Sequence, residues 1–290
     1  MSGLGRRCTL CAVAVTIGGS ALLGSGATAF AKTRTRAERA RARAELRYVR
    51  SARRALTVYL RHGDPLAQVV GPIRSTTAGS YNWSGYADTS TTDGAFTRVA
   101  GTWSTPSVKC SAEDQITSEW VGLDGWTSST VEQDGTIDWC FEGTANYYTW
   151  YEMYPAGTIE VGTTLAPGDK IAASVSVSKG STYTLKLTDT THTANSFTET
   201  ATCAPTTCLD TSAEWIAERP SFSIGIAPLA DYHSWNQGSG TAIESGVSGT
   251  ISSFGPIEVT MVDATDSYNL STPSALTGGK QFTTTWDNSY

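Results

Sequence analysis

The sequence predicts an all-β body over residues 76–290, arranged as one large antiparallel sandwich or barrel. Its high Ser, Thr and Gly content and its scarcity of Leu are untypical of a helical protein. Short runs of alternating apolar residues recur along it, separated by clusters of Gly, Asn, Asp, Pro and Ser. About 210 residues of such runs suit one domain, and no repeat period indicates a solenoid or a propeller.

The predicted strands follow this alternation in chain order. Residues 171–177 alternate apolar with small or polar side chains, a turn follows at 179–181, and residues 183–187 alternate back, which predicts a β-hairpin. No segment of the body has a convincing helical period. The other predicted strands are 96–103, 118–123, 147–153, 212–217, 222–227 and 257–262.

Charge divides the chain into two unlike parts. The formal net charge is −6, but residues 1–75 hold 14 of the 21 Lys and Arg and only three acids, Glu38, Glu45 and Asp64. Residues 76–290 keep 7 basic and 24 acidic residues, a net charge of −17, together with all nine tryptophans. This apolar content argues against a disordered acidic tail, and the negative charge disfavours nucleic acid as a partner.

Residues 1–31 predict a secretory signal peptide. Arg6 and Arg7 precede an apolar run at 12–23, and Ala29 and Ala31 place small residues where a signal peptidase reads. The run is too short and too rich in Gly and Ser to predict a membrane span. We therefore expect a secreted, extracellular protein that has no membrane contact once the signal is removed.

Residues 32–75 predict a removable pro-segment. A basic amphipathic helix such as this one also suits a membrane surface or a separate polyanion. The body is itself a polyanion in the same chain, so we expect the segment to bind it largely by charge, as an intramolecular inhibitor, and to loosen as carboxylates protonate at low pH. The apolar residues at helical spacing are Leu46, Val49, Leu56 and Leu60, and the arginines on another face are Arg43, Arg47, Arg50 and Arg54.

Four cysteines remain after export, and an even number in a secreted protein predicts disulfides. Cys203 and Cys208 bracket a short Pro-containing loop, which favours pairing them and leaves Cys110 with Cys140. Metal ligation is the alternative, but neither the spacing nor a nearby His supports it, and we expect no metal. The remaining pair, Cys8 and Cys11, leaves with the signal peptide.

The sequence excludes several kinds of chemistry. Of the three histidines, His62 lies in the predicted pro-segment, while His192 and His233 have polar surroundings and no Gly-x-Ser-x-Gly motif nearby. Neither a His-Glu-x-x-His zinc motif nor a phosphate-binding glycine motif occurs. What remains is carboxylate and amide chemistry on a β scaffold.

Aromatic and acidic residues concentrate in three stretches, 119–133, 150–155 and 212–216. Within the third, Glu214 and Ile216 face the same side of a strand. A carboxylate beside bulky aromatic residues is partly desolvated, which raises its pKa and favours an acid/base role. A single Glu on a strand is more commonly a solvated residue of the outer face. An aromatic stripe in a sandwich more commonly belongs to the core or stacks on sugars.

Four motifs in these stretches together resemble the glutamic peptidases, or eqolisins. They are WVGLDG from Trp120, TVEQ ending at Gln133, WYEMYP from Trp150 and AEWI from Ala213, in matching order and approximate spacing. The resemblance covers roughly residues 81–265. It implies a lectin-like sandwich of two curved antiparallel sheets and a secreted endopeptidase that is active at acidic pH and cleaves polypeptides.

The resemblance also implies the residues that act. Gln133 and Glu214 correspond to the catalytic pair: Glu214 takes a proton from water and later protonates the leaving nitrogen, while the Gln133 amide stabilises the oxyanion. This chemistry needs no metal or cofactor. The residues implied as substrate contacts are Trp120, Asp124, Glu152 and Asp138.

Three other functions compete with this interpretation. They are a secreted carbohydrate-binding sandwich, a glycoside hydrolase with two carboxylates, and a cell-surface adhesion domain. Neither sugar binding nor glycosidic cleavage requires Gln133, and an adhesion domain has no use for a cleavable pro-segment. We expect a monomer.

Overall fold

The structure is a computed structural model that describes residues 65–74, 76–162, 164–178, 181–203, 207–222 and 225–290. The predicted signal peptide, the predicted pro-segment up to residue 64, and the turn residues 179 and 180 lie outside the described residues. The expectations for Cys8, Cys11 and His62 also fall outside them.

Strands make up most of the described chain, together with two single 3-10 turns at Thr193–Asn195 and Ile251–Ser253. Among the described residues, no helix reaches the length and hydropathy of a membrane span. In chain order the strands are β1 (Val69–Arg74), β2 (Thr77–Ser80), β3 (Trp83–Thr89), β4 (Phe96–Ser104), β5 (Gln115–Asp124), β6 (Val131–Phe141), β7 (Thr144–Tyr154), β8 (Ile159–Glu160), β9 (Lys170–Ser178), β10 (Thr182–Asp189), β11 (Phe197–Thr202), β12 (Ser212–Glu218), β13 (Ser221–Phe222), β14 (Gly225–Ile226), β15 (Ser234–Gln237), β16 (Thr241–Glu244), β17 (Val247–Thr250), β18 (Ile257–Val262), β19 (Asn269–Pro273) and β20 (Phe282–Trp286).

Eighteen of these strands form two stacked sheets, while β13 and β14 pair only with each other. This architecture confirms the predicted all-β sandwich. The larger sheet has twelve strands with the path β15-β20-β19-β18-β3-β12-β5-β6-β7-β8, and β2 joins it by pairing with β18 and β1. The smaller sheet has six strands in the order β11-β10-β9-β4-β16-β17. Pairing is antiparallel except between β2 and β18.

Most predicted strands lie where the alternation placed them. The predicted hairpin is β9 paired with β10, and the runs 96–103, 118–123, 147–153, 212–217 and 257–262 fall within β4, β5, β7, β12 and β18. The single strand predicted at 222–227 is wrong, because β13 and β14 pair with each other there as a separate hairpin. The alternation did not predict β6, the strand that carries Gln133.

The larger sheet is buried on both faces at its centre. One face, here called the inner face, packs on the smaller sheet through residues such as Val121, Leu123 and Trp215. The other, here called the site face, carries a second cluster that includes Trp83 and Trp120. Because both faces exclude water, every residue of β5 and of β12 is buried.

Two disulfides tie loops to this framework, in the pairing expected from the spacing. Cys110 is joined to Cys140 with their Cα atoms 5.3 Å apart, and Cys203 is joined to Cys208 with their Cα atoms 5.9 Å apart. The first disulfide fastens the loop before β5 to the end of β6, which lies beside β5 in the sheet.

Residues 65–74, which the charge pattern assigned to the pro-segment, contact the body. β1 pairs with β2, so the predicted boundary near residue 75 falls between the two strands of a hairpin. Leu66, Ala67 and Val69 pack against the aromatic cluster of the site face.

Candidate active site

Gln133 and Glu214 lie on the site face, two strands apart and at the same level. Gln133 in β6 is paired with Gly122 in β5, and Gly122 is paired with Glu214 in β12. Directly paired residues point to the same face, and neighbouring strands lie about 4.8 Å apart, so roughly 10 Å separates the two Cα atoms. The pairing therefore sets an amide opposite a carboxyl across a glycine.

Gly122 keeps the space between these two side chains open. A Cβ atom at this position would lie 2.8 Å from Cζ3 of Trp120 and 3.2 Å from Cβ of Gln133. Since carbon atoms in contact prefer separations of about 3.5–4.0 Å, any side chain at residue 122 would displace its neighbours. The glycine thus makes room for the edge of the Trp120 indole, which forms the floor between Gln133 and Glu214.

A carboxyl on the neighbouring strand orients the Gln133 amide. Glu152 in β7 is paired with Gln133, and Nε2 of Gln133 donates to Oε2 of Glu152 over 2.7 Å. The Thr158 hydroxyl donates to the other oxygen of Glu152 over 3.0 Å. The Gln133 amide carries two N–H groups, and this contact uses one of them and leaves the second for another acceptor.

Glu214 is fully buried, and neither of its carboxyl oxygens has a hydrogen-bond partner among the described residues. Burial raises its pKa well above the usual value, and the nearby carboxyls of Asp124, Glu132 and Asp88 raise it further. The Ser212 hydroxyl opposes this rise. In this closed arrangement burial therefore favours the protonated form of Glu214.

Tryptophans pack together on the face of the sheet that also carries Glu214. The rings of Trp83 and Trp120 meet edge to face with centroids 4.9 Å apart, and Trp126 lies 6.3 Å from Trp83. Trp120 and Trp83 are fully buried, and Trp150 is nearly so. Large aromatic surfaces arranged in this way help to exclude water from this face of the sheet, and burial is the main cause of the raised pKa of Glu214.

A small cavity lies over this part of the site face. The sheet contributes Gln133, Glu152 and Glu218 to its lining, and Pro65 and Ser221 close it from above. Glu218 was not singled out from the sequence. It lies four residues after Glu214 in the same strand, and this even separation, which places it on the same face, was the signal that could have found it.

The other expected substrate contacts lie in different environments. The carboxylate of Asp124, at the end of β5, accepts the backbone N–H groups of Leu209, Asp210 and Thr211 at 2.8, 2.8 and 2.9 Å, so it fastens the loop before β12. Asp138 lies on the inner face of β6, beside Glu119, and so on the face opposite to the one that carries Gln133.

Within the part of the chain that the structure describes, three groups of side chains have the donor types of a cation site, but each includes atoms that are already engaged. The groups are Glu132 with Cys203 and Cys208, Asp124 with Glu132 and Asp210, and Asp169 with Asp189 and His192. In the first group the two cysteines are joined as a disulfide, and in the second the oxygens of Asp124 accept backbone N–H groups. In the third, Oδ1 of Asp169 lies 2.9 Å from Nδ1 of His192.

The fold and this geometry define a class of protein. A two-sheet antiparallel sandwich that sets a Gln opposite a Glu on one face matches the class that the four motifs indicated, the glutamic-type peptidases. The chain belongs to the Peptidase A4 family, whose profile matches residues 81–286. The protein is therefore a peptidase, and the sugar-binding, glycosidase and adhesion alternatives are set aside.

Similar proteins agree with this assignment. The chain is 30% identical over 226 residues to aspergillopepsin-2 of Aspergillus niger, covering 74% of this chain and 72% of that protein. The crystal structure of scytalido-glutamic peptidase with a transition state analog inhibitor has a TM-score of 0.61 at 20% identity, over 71% of this chain and 98% of that one. For aspergilloglutamic peptidase from Aspergillus niger the TM-score is 0.52 at 25% identity, over 60% and 99% of the two chains.

Proposed function

We propose that the protein is a secreted endopeptidase, active at acidic pH, in which Glu214 activates water and Gln133 stabilises the tetrahedral intermediate. The observation that carries the proposal is the pairing of Gln133, Gly122 and Glu214 across three adjacent strands. This arrangement sets an amide donor and a carboxyl on either side of the edge of the Trp120 indole, and the proposal requires that the scissile peptide bond and one water molecule lie over that edge.

The reaction needs only these two side chains. Ionised Glu214 takes a proton from water, and the resulting hydroxide attacks the carbonyl carbon of the peptide bond. The free N–H of the Gln133 amide donates to the oxyanion that forms, while Glu152 holds the amide in that orientation. Glu214 then gives its proton to the leaving nitrogen, the C–N bond breaks, and the carboxylate is regenerated.

Opening of the site couples this chemistry to acidic pH. While Glu214 is buried its pKa is raised, which favours the protonated form and disfavours its action as a base. The proposal requires that opening of the site readmits water to this carboxyl, which brings its pKa back toward the ordinary value of about 4. An opened site therefore has an ionised base in mildly acidic solution.

We expect Gln133→Ala to lower kcat by about 10²–10³-fold, because it removes the oxyanion donor but leaves the Glu214 base in place. The measurement is hydrolysis of a denatured protein substrate across pH 2–7 by the acid-treated protein. Gln281→Ala, at an exposed position, is the matched control and should keep the wild-type rate. A Gln133→Ala variant with the wild-type kcat would assign the oxyanion contact to another group.

Export and maturation belong to the same proposal. The predicted signal peptide and the two disulfides suit an oxidising compartment outside the cell. We further propose that residues 65–68, which lie within the last part of the predicted pro-segment (32–75), keep the site closed until they are released. The substrates are polypeptides, and the mature protein is proposed to act as a monomer.

Hydrogen bonds hold residues 65–68 over the site face. The Trp83 indole donates to the Pro65 carbonyl over 2.9 Å, and the Asn82 amide donates to the Leu66 carbonyl over 2.9 Å. The Ala67 N–H donates to the Gly125 carbonyl over 3.0 Å. The Gln68 side chain donates to the Ser221 hydroxyl over 2.8 Å. These contacts support an inhibitory strap, since Pro65 lines the cavity that contains Gln133.

We expect activation at low pH to produce a chain whose first residue lies after Gln68, consistent with a cut near residue 75. N-terminal sequencing of the active protein checks this. Gln68→Ala should speed activation several-fold, because it removes the hydrogen bond to Ser221, whereas Gln281→Ala should not. Full activity from a protein that still begins before Pro65 would contradict the inhibitory role of this segment.

A further inference from the structure

Glu218, the last residue of β12, lies on the site face but has no part in the proposed reaction. It is paired with Ser118 in β5 and with Trp83 in β3, and it lines the same cavity as Gln133. Only 3% of its surface is exposed. A carboxyl buried this deeply is costly unless it has hydrogen bonds, so its partners indicate what it does.

One partner of Glu218 is the indole of Trp120. Nε1 of Trp120 donates to Oε2 of Glu218 over 2.9 Å. At the opposite edge of the same ring, the Cζ3 atom would lie 2.8 Å from a Cβ atom placed on residue 122. The indole therefore runs along β5, fixed at one edge by Glu218, with the other edge forming the floor between Gln133 and Glu214.

The second support of this ring depends on the segment above the site. Trp83 packs edge to face on Trp120, and its own indole N–H donates to the carbonyl of Pro65. When residues 65–68 are released, Trp83 loses that hydrogen bond. The contact with Glu218 stays within the large sheet, so it continues to anchor the Trp120 ring when the site is open.

We propose that Glu218 is a positioning residue for peptide hydrolysis, acting through Trp120 to hold the floor on which the scissile peptide lies between Gln133 and Glu214. This inference rests on the proposed function. A carboxyl oxygen accepts the indole N–H whether or not the acid is protonated, so the contact persists at acidic pH. A glutamine at residue 218 would also supply an acceptor, whereas a leucine would leave the buried indole N–H unpaired.

A double-mutant cycle tests this role on the acid-activated full chain. We expect Glu218→Leu to lower kcat by about 10-fold to 100-fold with KM changed less than threefold, because a shifted ring misplaces the peptide. Glu218→Gln should restore kcat to within about threefold of wild type. Trp120→Phe removes the indole N–H, so adding Glu218→Leu to it should lower kcat no further.

Other outcomes would overturn the proposal. Additive losses in the cycle would mean that Glu218 does not act through Trp120, and a Glu218→Gln loss as large as that of Glu218→Leu would assign the effect to charge. Unchanged kcat with a lowered melting temperature would mean a structural role. Glu214→Gln in the same assay separates this test from the proposed function: if that variant keeps its activity, the proposed mechanism fails, while the Glu218–Trp120 coupling is still measured.

Discussion

Glu214→Gln is expected to lower kcat for peptide hydrolysis by about 10³–10⁴-fold. The substitution keeps the shape of the side chain in a fully buried position beside Trp120, so the fold and the wall of the site stay in place. It removes the only property that the proposed reaction requires of residue 214, the ability to take a proton from water and to return it to the leaving nitrogen. KM should change little, because substrate contacts extend over the rest of the site face.

The control for this variant is Glu132→Gln. Glu132 is also fully buried and lies next to Gln133 in β6, but on the inner face of the sheet, 2.7 Å from Cys208 Sγ. Both variants exchange a buried carboxyl for an amide of nearly the same shape, so they share any general effect on stability. Activity should survive at residue 132 and disappear at residue 214. Equal losses in the two variants would show that the Glu214 effect is not specific to the reaction.

Sequence patterns predicted the half-exposed β9–β10 hairpin, the fully buried strands β5 and β12, and the residues that belong to recognisable motifs. The β9–β10 hairpin follows from simple alternation, because its outer face is in contact with water. β6 was missed because Asp134, Gly135 and Asp138 interrupt its apolar residues, although almost all of the strand is buried. No hydrophobic alternation survives in such a strand.

The odd or even separation of residues along a strand would have predicted which of them share the site face. Glu218 is an even number of residues from Glu214, and Asp138 is an odd number from Gln133, which places the first on the site face and the second on the inner face. The role of Gly122 could not be predicted from residue separations along a strand. Its position between Gln133 and Glu214 depends on the register of three strands, which long-range packing determines.

Stability should fall steeply as the pH rises from about 4 to about 8. The inner face of the larger sheet buries several carboxyls, among them Asp88, Glu119 and Asp138. Burial raises the pKa of Glu119 to about 8, although hydroxyls of Thr136 and Thr117 donate to it. Burial and the nearby Glu244 raise the pKa of Asp88 to about 8. Burial and the Glu119 carboxyl raise that of Asp138 well above its usual value.

The sign of the effect follows from proton binding. Below about pH 4 these carboxyls are protonated in both the folded and the unfolded chain, and the full stability is present. Between about pH 4 and pH 8 the unfolded chain releases protons that the folded chain keeps, so the free energy of unfolding falls by about 1.4 kcal/mol per pH unit for each such group. For Glu119 alone the loss is on the order of 5 kcal/mol, comparable with the total stability of many domains.

Urea unfolding of the acid-activated protein at intervals between pH 3 and pH 8 measures this dependence. The double variant Glu119→Gln with Asp138→Asn should flatten the curve, because amides release no protons and fill nearly the same space, while Glu199→Gln, a partly exposed control, should leave the curve as in the wild type. A wild-type free energy of unfolding that stays constant from pH 4 to pH 8 would show that the buried carboxyls ionise in the folded chain. If the slope is as expected, the interior of the sandwich itself favours an acidic environment, independently of Glu214 and of the segment that covers it.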